Sequence, residues 1–181
     1  MLENVLMSKE NEQMITETLG VKPIMIDAGK LSVQARERLY WCNFEVRQPK
    51  DLGRKVSEVL EQIEGDRPCV LREKSAMSSR SLHHIADASD INGNQSIKRV
   101  YSVEGKCPTL TTMGGGHREP KFLMPNGMYR KATVLELERI AGLSDHYTAG
   151  VSDTQRKKMI GNGWELLTVE HICRELKRQT P

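Results

Sequence analysis

Two arginines separated by one residue form the most distinctive polar pattern near the start of the chain. Arg36 and Arg38 lie in the sequence Gln34-Ala-Arg-Glu-Arg, which is followed at once by the apolar stretch LYWCNF. Residues i and i+2 of a β-strand project from the same face, so both guanidinium groups could reach one polar ligand. A pair of solvated arginines at a sheet edge explains the motif equally well, and the pattern alone does not decide between the two.

The residues before this motif add a second candidate group. Glu3-Asn4-Val5 means little by itself because such tripeptides are common, and PIMID, ending at Asp27, predicts a short apolar strand. Taken in order, Glu3-Asn4, the strand ending at Asp27, and Gln34-x-Arg36-x-Arg38 are far more specific. This order resembles motifs VI to VIII of the cytosine-5 DNA methyltransferases.

The rest of the chain resembles the target-recognition region and motifs IX and X of the same family, in the family's order. The matching segments are Arg99-Val-Tyr-Ser, Pro108-Thr-Leu-Thr-Thr-Met-Gly-Gly-Gly116, Arg130-Lys-Ala-Thr133-x-x-Glu136-x-x-Arg139 and Gln155-Arg-x-Lys-x-Ile-Gly161-Asn162-Gly163. Residues 3–43 are most similar to the animal de novo branch, whereas the recognition region and tail are closer to bacterial restriction–modification and phage enzymes. Only the polar stretch at residues 72–95 falls outside the resemblance.

The resemblance implies an α/β fold with three parts. Residues 1–43 would form an incomplete Rossmann-like methyltransferase sheet that carries motifs VI to VIII. Residues 44–127 would form a small, irregular target-recognition lobe. Residues 128–181 would carry motifs IX and X and return to the catalytic domain.

The same resemblance implies roles for four catalytic candidates. In the family, a target cytosine is flipped into a pocket. There a cysteine attacks C6, and C5 receives the methyl group of S-adenosylmethionine. Glu3 would hydrogen-bond the N3 edge of the ring, and Asn4 would position Glu3 and the neighbouring loop. Arg38 would reach O2, and Arg36 would lie beside the pocket or a phosphate.

A surface for double-stranded DNA and part of the S-adenosylmethionine site are implied as well. Arginine suits guanine O6 and N7, and glycines let the backbone approach base edges closely. The DNA-binding candidates are Arg99, Thr111, Thr112, Met113, Gly114, Gly115 and Gly116, with Arg130 and Lys131 as phosphate contacts. Asn162, Gly163 and Trp164 match the motif X positions that contact the amino-acid end of the methyl donor. No metal site is expected.

Three family motifs have no counterpart in these residues: a glycine-containing cofactor loop, an acidic ribose-binding residue and a Pro-Cys-Gln nucleophile loop. The only Pro-Cys pair, Pro68-Cys69, precedes Val70 and lies in the recognition region, so it does not fit the nucleophile. A complementary N-terminal chain is therefore expected, and this chain would not fold well alone. That chain would cover the apolar side chains of Val5, Ile24, Ile26, Leu39 and Trp41. The alternatives are a non-catalytic accessory of a full-length enzyme and an inactive truncated relic.

Composition is compatible with these expectations and excludes other classes. The 181 residues contain no apolar run long enough for a membrane span and no secretory signal, which favours a cytoplasmic, nucleoid-associated protein of bacterial or phage origin. Four scattered cysteines predict reduced structural thiols rather than a zinc site. Residues 67–121 carry nine basic and five acidic side chains, Lys74 and Arg80 among them. That balance suits either a nucleic-acid face or a solvated loop.

Helical spacing and capping residues predict the supporting elements. A short helix is expected over residues 10–19 and a strand over 38–44. An apolar stripe at residues 52–63 predicts a further helix, and the polar stretch at 72–95 predicts a long loop or weakly structured insert. Capping boxes at Thr133/Glu136 and Ser152/Gln155 predict two helices, and an apolar stripe predicts a last one at the C-terminal end.

Overall fold

The computed structural model describes residues 1–77 and 82–179, and of residues 74–77 the backbone alone. Residues 78–81, a part of the expected polar insert that includes Arg80, lie outside this range, as does the side chain of Lys74. The strands are β1 (Leu2–Asn4), β2 (Pro23–Asp27), β3 (Glu37–Trp41), β4 (Cys69–Met77), β5 (His83–Ala88), β6 (Arg99–Tyr101), β7 (Lys121–Leu123) and β8 (Tyr129–Lys131). The helices are α1 (Lys9–Leu19), α2 (Gln95–Lys98), α3 (Val134–Ile140), α4 (Asp153–Asn162) and α5 (Leu166–Gln179).

The first sheet has the strand order β1-β3-β2, and both neighbours run antiparallel to β3. β1 and β2 are consequently parallel to each other, with α1 as the crossover between them. Glu3 lies opposite Tyr40 in the register, and Asp27 lies opposite Glu37. The predicted strands and the predicted α/β class are confirmed. Among the described residues, no strand pairs with the other edge of β1.

The apolar side chains of this sheet are covered more fully than the sequence suggests. Trp41 is buried, and its indole N–H donates to Thr16 Oγ1 of α1 at 3.0 Å. Ile26 packs with Ile172 of α5, and Leu39 is also buried. The expectation that a second chain must cover Ile26, Leu39 and Trp41 is therefore wrong, because the chain's own helices cover part of the sheet.

Ile24 is partly buried against the same cluster, which leaves Val5 as the one residue of that predicted set that is exposed, at 50%. Leu2, Leu6 and Met25 are exposed apolar residues of the same region that the sequence analysis did not single out. Three of these four exposed side chains lie on β1 or on the turn directly after it.

The second sheet has the order β4-β5-β6-β7-β8, with β6 and β7 parallel and the other pairs antiparallel. It corrects the expectation of a loop or weakly structured insert at residues 72–95, because β4 and β5 form a hairpin there. The alternating buried residues of β5 are Ala86 and Ala88, which are too small to give a strong apolar pattern in the sequence. The recognition lobe is consequently more regular than expected.

A further correction concerns residues 52–63, where a helix was predicted. The structure has only a 3-10 turn at Val56–Glu58. The backbone N–H groups of Val56 and Ser57 donate to the carbonyls of Gly105 and Val103, at 3.0 and 2.9 Å. These amides are therefore unavailable for the hydrogen bonds of a longer helix.

The C-terminal helices follow the sequence prediction. Thr133 and Glu136 form a capping box at the start of α3, and Ser152 and Gln155 form one at the start of α4. Each box satisfies backbone N–H groups that the first helical turn leaves without partners. α3 and α4 contribute Leu137, Ile140 and Ile160 to the largest core cluster.

Two features are absent from the part of the chain that the structure describes. No helix there combines the length and the apolar character needed to span a bilayer. No group of three or more His, Cys, Asp or Glu side chains within those residues is arranged to hold a metal ion.

Candidate functional site

The first candidate site is a largely buried cluster of opposite charges on β1 and at the start of β3, which we call the arginine pocket. Glu3 Oε1 lies 3.1 Å from Arg38 Nε and 3.9 Å from Arg36 Nη2. The two arginines are two residues apart and both reach the same carboxylate, as the strand argument predicted. All three side chains are largely buried, between 8 and 16% exposed.

The environment of the arginine pocket shifts the pKa values of Arg36 and Tyr40. Burial lowers the pKa of Arg36, and the positive charge of Arg38 lowers it further. Burial also raises the pKa of Tyr40, whose Cα is paired with that of Glu3 across the strands. Tyr40 therefore stays a neutral phenol beside two guanidinium groups. The arginine pocket thus combines one carboxylate with two guanidinium groups.

A hydrogen bond joins the arginine pocket to the end of α4. Arg36 Nη2 donates to the backbone carbonyl of Gly163 at 3.1 Å. Gly163 follows Asn162, the last residue of α4, and the side chains of Asn162 and Trp164 are exposed. The predicted donor-binding residues therefore lie next to the predicted base pocket, although 127 positions separate Arg36 from Gly163.

Asn4 makes a local contact only. Its Oδ1 accepts a hydrogen bond from the backbone N–H of Val5 at 2.8 Å. This bond fixes the turn directly after β1, and no hydrogen bond between the side chains of Asn4 and Glu3 is present among the described contacts. The role assigned to Asn4, holding Glu3 and the neighbouring loop, has geometric support for the loop alone.

The second candidate site is a cleft of about 500 Å3, which we call the basic cleft. It is lined by residues from the segments 94–101, 108–111 and 117–121. Its lining includes Arg99 at the start of β6 together with Thr111, His117 and Arg118. Arg99 and Thr111, both predicted to bind DNA, are thus brought together, and both are exposed. Arg118 and His117 are functional candidates that the sequence reading did not select. Arg118 had a visible signal, since it is a basic residue two positions after the glycine run.

A buried lysine holds the loop of the basic cleft in shape. The Lys121 ammonium donates to the carbonyls of His117 and Glu119 at 2.5 and 3.1 Å. Burial, followed by the nearby charge of Lys131, lowers the pKa of Lys121 to about 8. Met113 and His117 have positive φ angles of 47 and 60°, which non-glycine residues seldom adopt. Such strained backbone is concentrated in functional loops.

The glycine run between them is exposed, and Gly115 and Gly116 have positive φ angles that suit glycine. Gly114 is exposed as well, and Thr112 is half-buried. The side chain of Met113 is buried in the main core, only 3% exposed. Its prediction as a DNA contact is corrected accordingly, because the buried side chain anchors the loop in the core.

Arg130 was predicted to hold a phosphate, and the structure corrects this. Its guanidinium makes two hydrogen bonds to Glu136, at 2.8 and 2.6 Å, and further bonds to the carbonyls of Ile63, Glu61 and Lys131. Arg130 is 4% exposed and Glu136 is fully buried. All of the donors face the protein, so this arginine is a structural ion pair.

Lys131 is partly committed in a similar way. Its ammonium lies 3.2 Å from Glu119 Oε2, and Lys157 contacts the other oxygen of Glu119 at 3.1 Å. Burial alone would raise the pKa of Glu119, but hydrogen bonds that include those from Lys157 and Lys131 lower it to about 2. The Lys131 side chain is 25% exposed, so a phosphate would have to compete with Glu119 for it.

Gly161 was quoted in the motif X resemblance but received no role. A Cβ atom at this position would lie 1.9 Å from the carbonyl oxygen of Thr111, a distance that no side chain tolerates. The helix α4 therefore packs directly on the backbone of the basic cleft. A glycine inside a predicted helix signals such a close approach in general, but the sequence does not name the partner.

Comparison with known proteins gives the family. The model of C-5 cytosine-specific DNA methylase matches residues 11–178. The orphan methyltransferase M.SPBetaI of Bacillus phage SPbeta is 28% identical over 67% of this chain and 38% of its own length. The type II methyltransferase M.HhaI of Haemophilus parahaemolyticus is 26% identical over 77% of this chain and 47% of its own length. The chain thus spans less than half the length of these curated relatives.

A solved structure supports the same fold. The methyltransferase EhMeth of Entamoeba histolytica superposes with a TM-score of 0.63 at 17% identity, over 97% of this chain and 61% of that protein. The family match covers β2 to β8, Arg36, Arg38 and the basic cleft, and it includes all five helices apart from the first two residues of α1 and the last of α5; β1 and Glu3 precede it. The chain belongs to the C-5 cytosine-specific DNA methylase family.

Proposed function

We propose that this chain is the C-terminal part of a DNA (cytosine-5-)-methyltransferase, a subunit or fragment that holds the flipped cytosine and selects the DNA sequence. A complementary N-terminal chain would provide the cysteine nucleophile and most of the S-adenosylmethionine site. The observation that carries the proposal is the convergence of Glu3, Arg36 and Arg38 in one buried pocket, hydrogen-bonded to the loop after α4.

Each polar group of the arginine pocket has a task in this reaction. Glu3 would hydrogen-bond N3 of the cytosine and exchange a proton there as electron density accumulates in the ring. Arg38, whose Nε lies 3.1 Å from the Glu3 carboxylate, would reach O2. Arg36 would hold the carboxylate from the other side while its second contact, to Gly163, fixes the loop that follows α4.

The methyl donor fits the end of α4 in part. Asn162 and Trp164 are exposed on either side of Gly163, which directly follows α4. These three residues would hold one end of S-adenosylmethionine, which supplies the methyl group when bound. The other end of the donor would rest on the complementary chain.

Three of the chain's four cysteines argue for a nucleophile from elsewhere. Burial raises the pKa of Cys42, Cys69 and Cys107, so each stays a thiol near neutral pH. A nucleophilic cysteine needs the opposite environment, one that favours the thiolate. Cys69 also lies on β4 of the second sheet, whereas Glu3 lies in the first.

The first sheet has a surface suited to a complementary chain. β1 carries an edge that pairs with no described strand, and its backbone N–H and C=O groups can accept another strand. Leu2, Val5 and Leu6 are exposed beside it. A strand from an N-terminal half would extend the sheet and cover these apolar side chains.

The direct test measures methyl transfer from radiolabelled S-adenosylmethionine to DNA. We expect activity when the purified chain is mixed with the candidate N-terminal half and none from either part alone. Inactivity of a mixture of folded, DNA-binding partners would contradict the proposal and favour the accessory or the inactive relic. Activity of this chain alone would show that one of its own cysteines is the nucleophile. Under the proposal the enzyme acts on DNA in the cytoplasm of a bacterium, close to the nucleoid, encoded by the host or a phage.

Arg99→Ala is expected to weaken binding to the DNA sequence that the enzyme recognises by about 1–3 kcal/mol. Its affinity for unrelated duplexes is expected to change far less. The reason is that Arg99 is exposed in the basic cleft and can donate two hydrogen bonds to one guanine. Fluorescence anisotropy with both duplexes measures the ratio of affinities. Lys177→Ala, which removes the same charge at an exposed position on α5, is the control. If Arg99→Ala lost the same affinity for both duplexes, Arg99 would contact phosphate only.

A further inference from the structure

Residues 107–112, which we call the anchor segment, begin beside residues 33–35, which directly precede Arg36 of the arginine pocket. The backbone N–H of Cys107 donates to Val33 at 2.7 Å, and the N–H of Ala35 donates to Cys107 at 2.9 Å. The hydroxyl of Thr109 donates to the carbonyl of Ala35 at 2.7 Å. Ala35 directly precedes Arg36, so these bonds fix the backbone from which the first arginine of the pocket projects.

The opposite side of the anchor segment touches the helix that ends at the donor-binding loop. Gly161 in the last turn of α4 packs so closely on Thr111 that a Cβ would lie 1.9 Å from its carbonyl oxygen and 2.6 Å from the N–H of Thr112. Two residues later, Gly163 accepts the hydrogen bond from Arg36. The anchor segment, the arginine pocket and the end of α4 thus form a closed ring of contacts.

Buried side chains make this ring stiff. Cys107 and Leu110 of the anchor segment, and Met113 just after it, are each at most 3% exposed. They belong to the same core cluster as Ile160, the neighbour of Gly161. Packed interiors are dense and transmit small displacements instead of absorbing them. Thr111 is exposed in the basic cleft, so a ligand in that cleft can contact one member of this ring directly.

We propose that the anchor segment couples target recognition in the basic cleft to the geometry of the arginine pocket and the donor-binding loop, and that Gly161 is the positioning residue that makes the coupling possible. The inference rests on the proposed function and extends it. One route runs from Thr109 through Ala35 to Arg36. The other runs from Thr111 through Gly161 to Gly163. A DNA contact at Thr111 therefore sets the relative position of the base pocket and the methyl-donor loop.

The matched pair of variants is Gly161→Ala and Gly65→Ala. Both introduce a methyl group against a backbone carbonyl, since a Cβ at Gly65 would lie 2.3 Å from the carbonyl oxygen of Met128. Gly65 is buried beside β8, and its close neighbours are Met128 and Asn126 instead of the anchor segment, so it reports the cost of overpacking alone. Thr109→Val is a milder third variant that removes only the hydroxyl bond to Ala35.

The first readout needs no methyl transfer. A labelled duplex measures DNA binding by anisotropy, and the indole emission of Trp164, which is 51% exposed, reports the donor-binding loop. Trp164→Phe identifies its share of the signal, because Trp41 is buried in the first sheet. We expect DNA to change Trp164 emission in the unaltered chain and in Gly65→Ala, and the change to disappear in Gly161→Ala although the duplex still binds.

The second readout is turnover in the complemented enzyme. A displacement of about 1 Å at a reacting centre costs roughly 10²-fold in rate, so we expect kcat of Gly161→Ala to fall about that much with little change in KM for DNA. Thr109→Val is expected to lose about threefold to tenfold, which a partial displacement would give. Gly65→Ala is expected to keep its kcat at an equal loss of thermal stability.

Three results would overturn the coupling. DNA binding without any change of Trp164 emission in the unaltered chain would do so, as would a Gly161→Ala enzyme that behaves like Gly65→Ala in kcat. A lower kcat with an unaltered DNA response of Trp164 would reduce Gly161 to a packing residue. Failure of the unaltered chain to bind any duplex would instead remove the proposed function itself, and the inference with it.

Discussion

Glu3→Gln is expected to lower kcat of the complemented enzyme by about 10²–10⁴-fold, the range typical of removing a positioned proton-transfer group. The amide keeps the shape of the side chain and can still hydrogen-bond a cytosine. It loses the negative charge that faces Arg38 at 3.1 Å and the ability to exchange a proton at N3. Single-turnover methyl transfer with saturating DNA and S-adenosylmethionine measures this chemical step directly.

Folding has to be separated from chemistry in this experiment. Glu17→Gln, at an exposed position on α1, makes the same chemical change outside the pocket and serves as the control for charge. Thermal unfolding of both variants checks that the first sheet is intact. A Glu3→Gln enzyme with the same Tm and an unchanged single-turnover rate would show that the arginine pocket does not hold the reacting base.

Arg130→Met is expected to destabilise the protein by about 3–5 kcal/mol, because it leaves the buried carboxylate of Glu136 without its cation. Glu136 is fully buried and receives two hydrogen bonds from Arg130, at 2.8 and 2.6 Å. It also caps α3 through the backbone N–H of Thr133, so loss of the arginine disturbs the start of that helix. Urea denaturation at pH 7 gives the difference in free energy of unfolding.

The same variant decides between a structural arginine and a phosphate contact. A lost phosphate contact would reduce the slope of log affinity against log salt by about 0.9. We expect the folded Arg130→Met protein to keep its slope, whereas Arg118→Met, at an exposed position in the basic cleft, loses about one contact without a loss of stability. A reduced slope for Arg130→Met would restore the original assignment.

Local signals predicted the parts of the fold that short-range chemistry controls. The strand at Pro23–Asp27 has the bounds expected from its apolar run, and both capping boxes start helices as expected. Arg36 and Arg38 converge on one carboxylate because strand geometry alone puts them on one face. These predictions depend on neighbours within a few residues of one another.

The failures involve contacts that the sequence does not show. The apolar stripe around Val56 has the spacing of a helix, but the backbone there bonds to residues 103–105. Arg130 has the appearance of a surface cation because the sequence does not show that the capping glutamate turns toward it. Gly161 is ordinary in sequence, and only the packing of α4 on Thr111 reveals why it carries no side chain.

The recognition sheet has a small interior of its own, formed by Ala86, Ala88, Ile91, Val100 and Tyr129 and distinct from the cluster that holds the anchor segment. Such an arrangement permits exchange of parts. Recombination that replaces β4 to β6 and ends before Cys107 would exchange Arg99 together with Ala86, Ala88, Ile91 and Val100, while Tyr129 of β8 would stay in place. The hydrogen bonds between residues 107–109 and Val33 and Ala35 would remain unchanged. Chimeras with crossovers at that boundary offer a route to altered sequence preference, in evolution as in the laboratory.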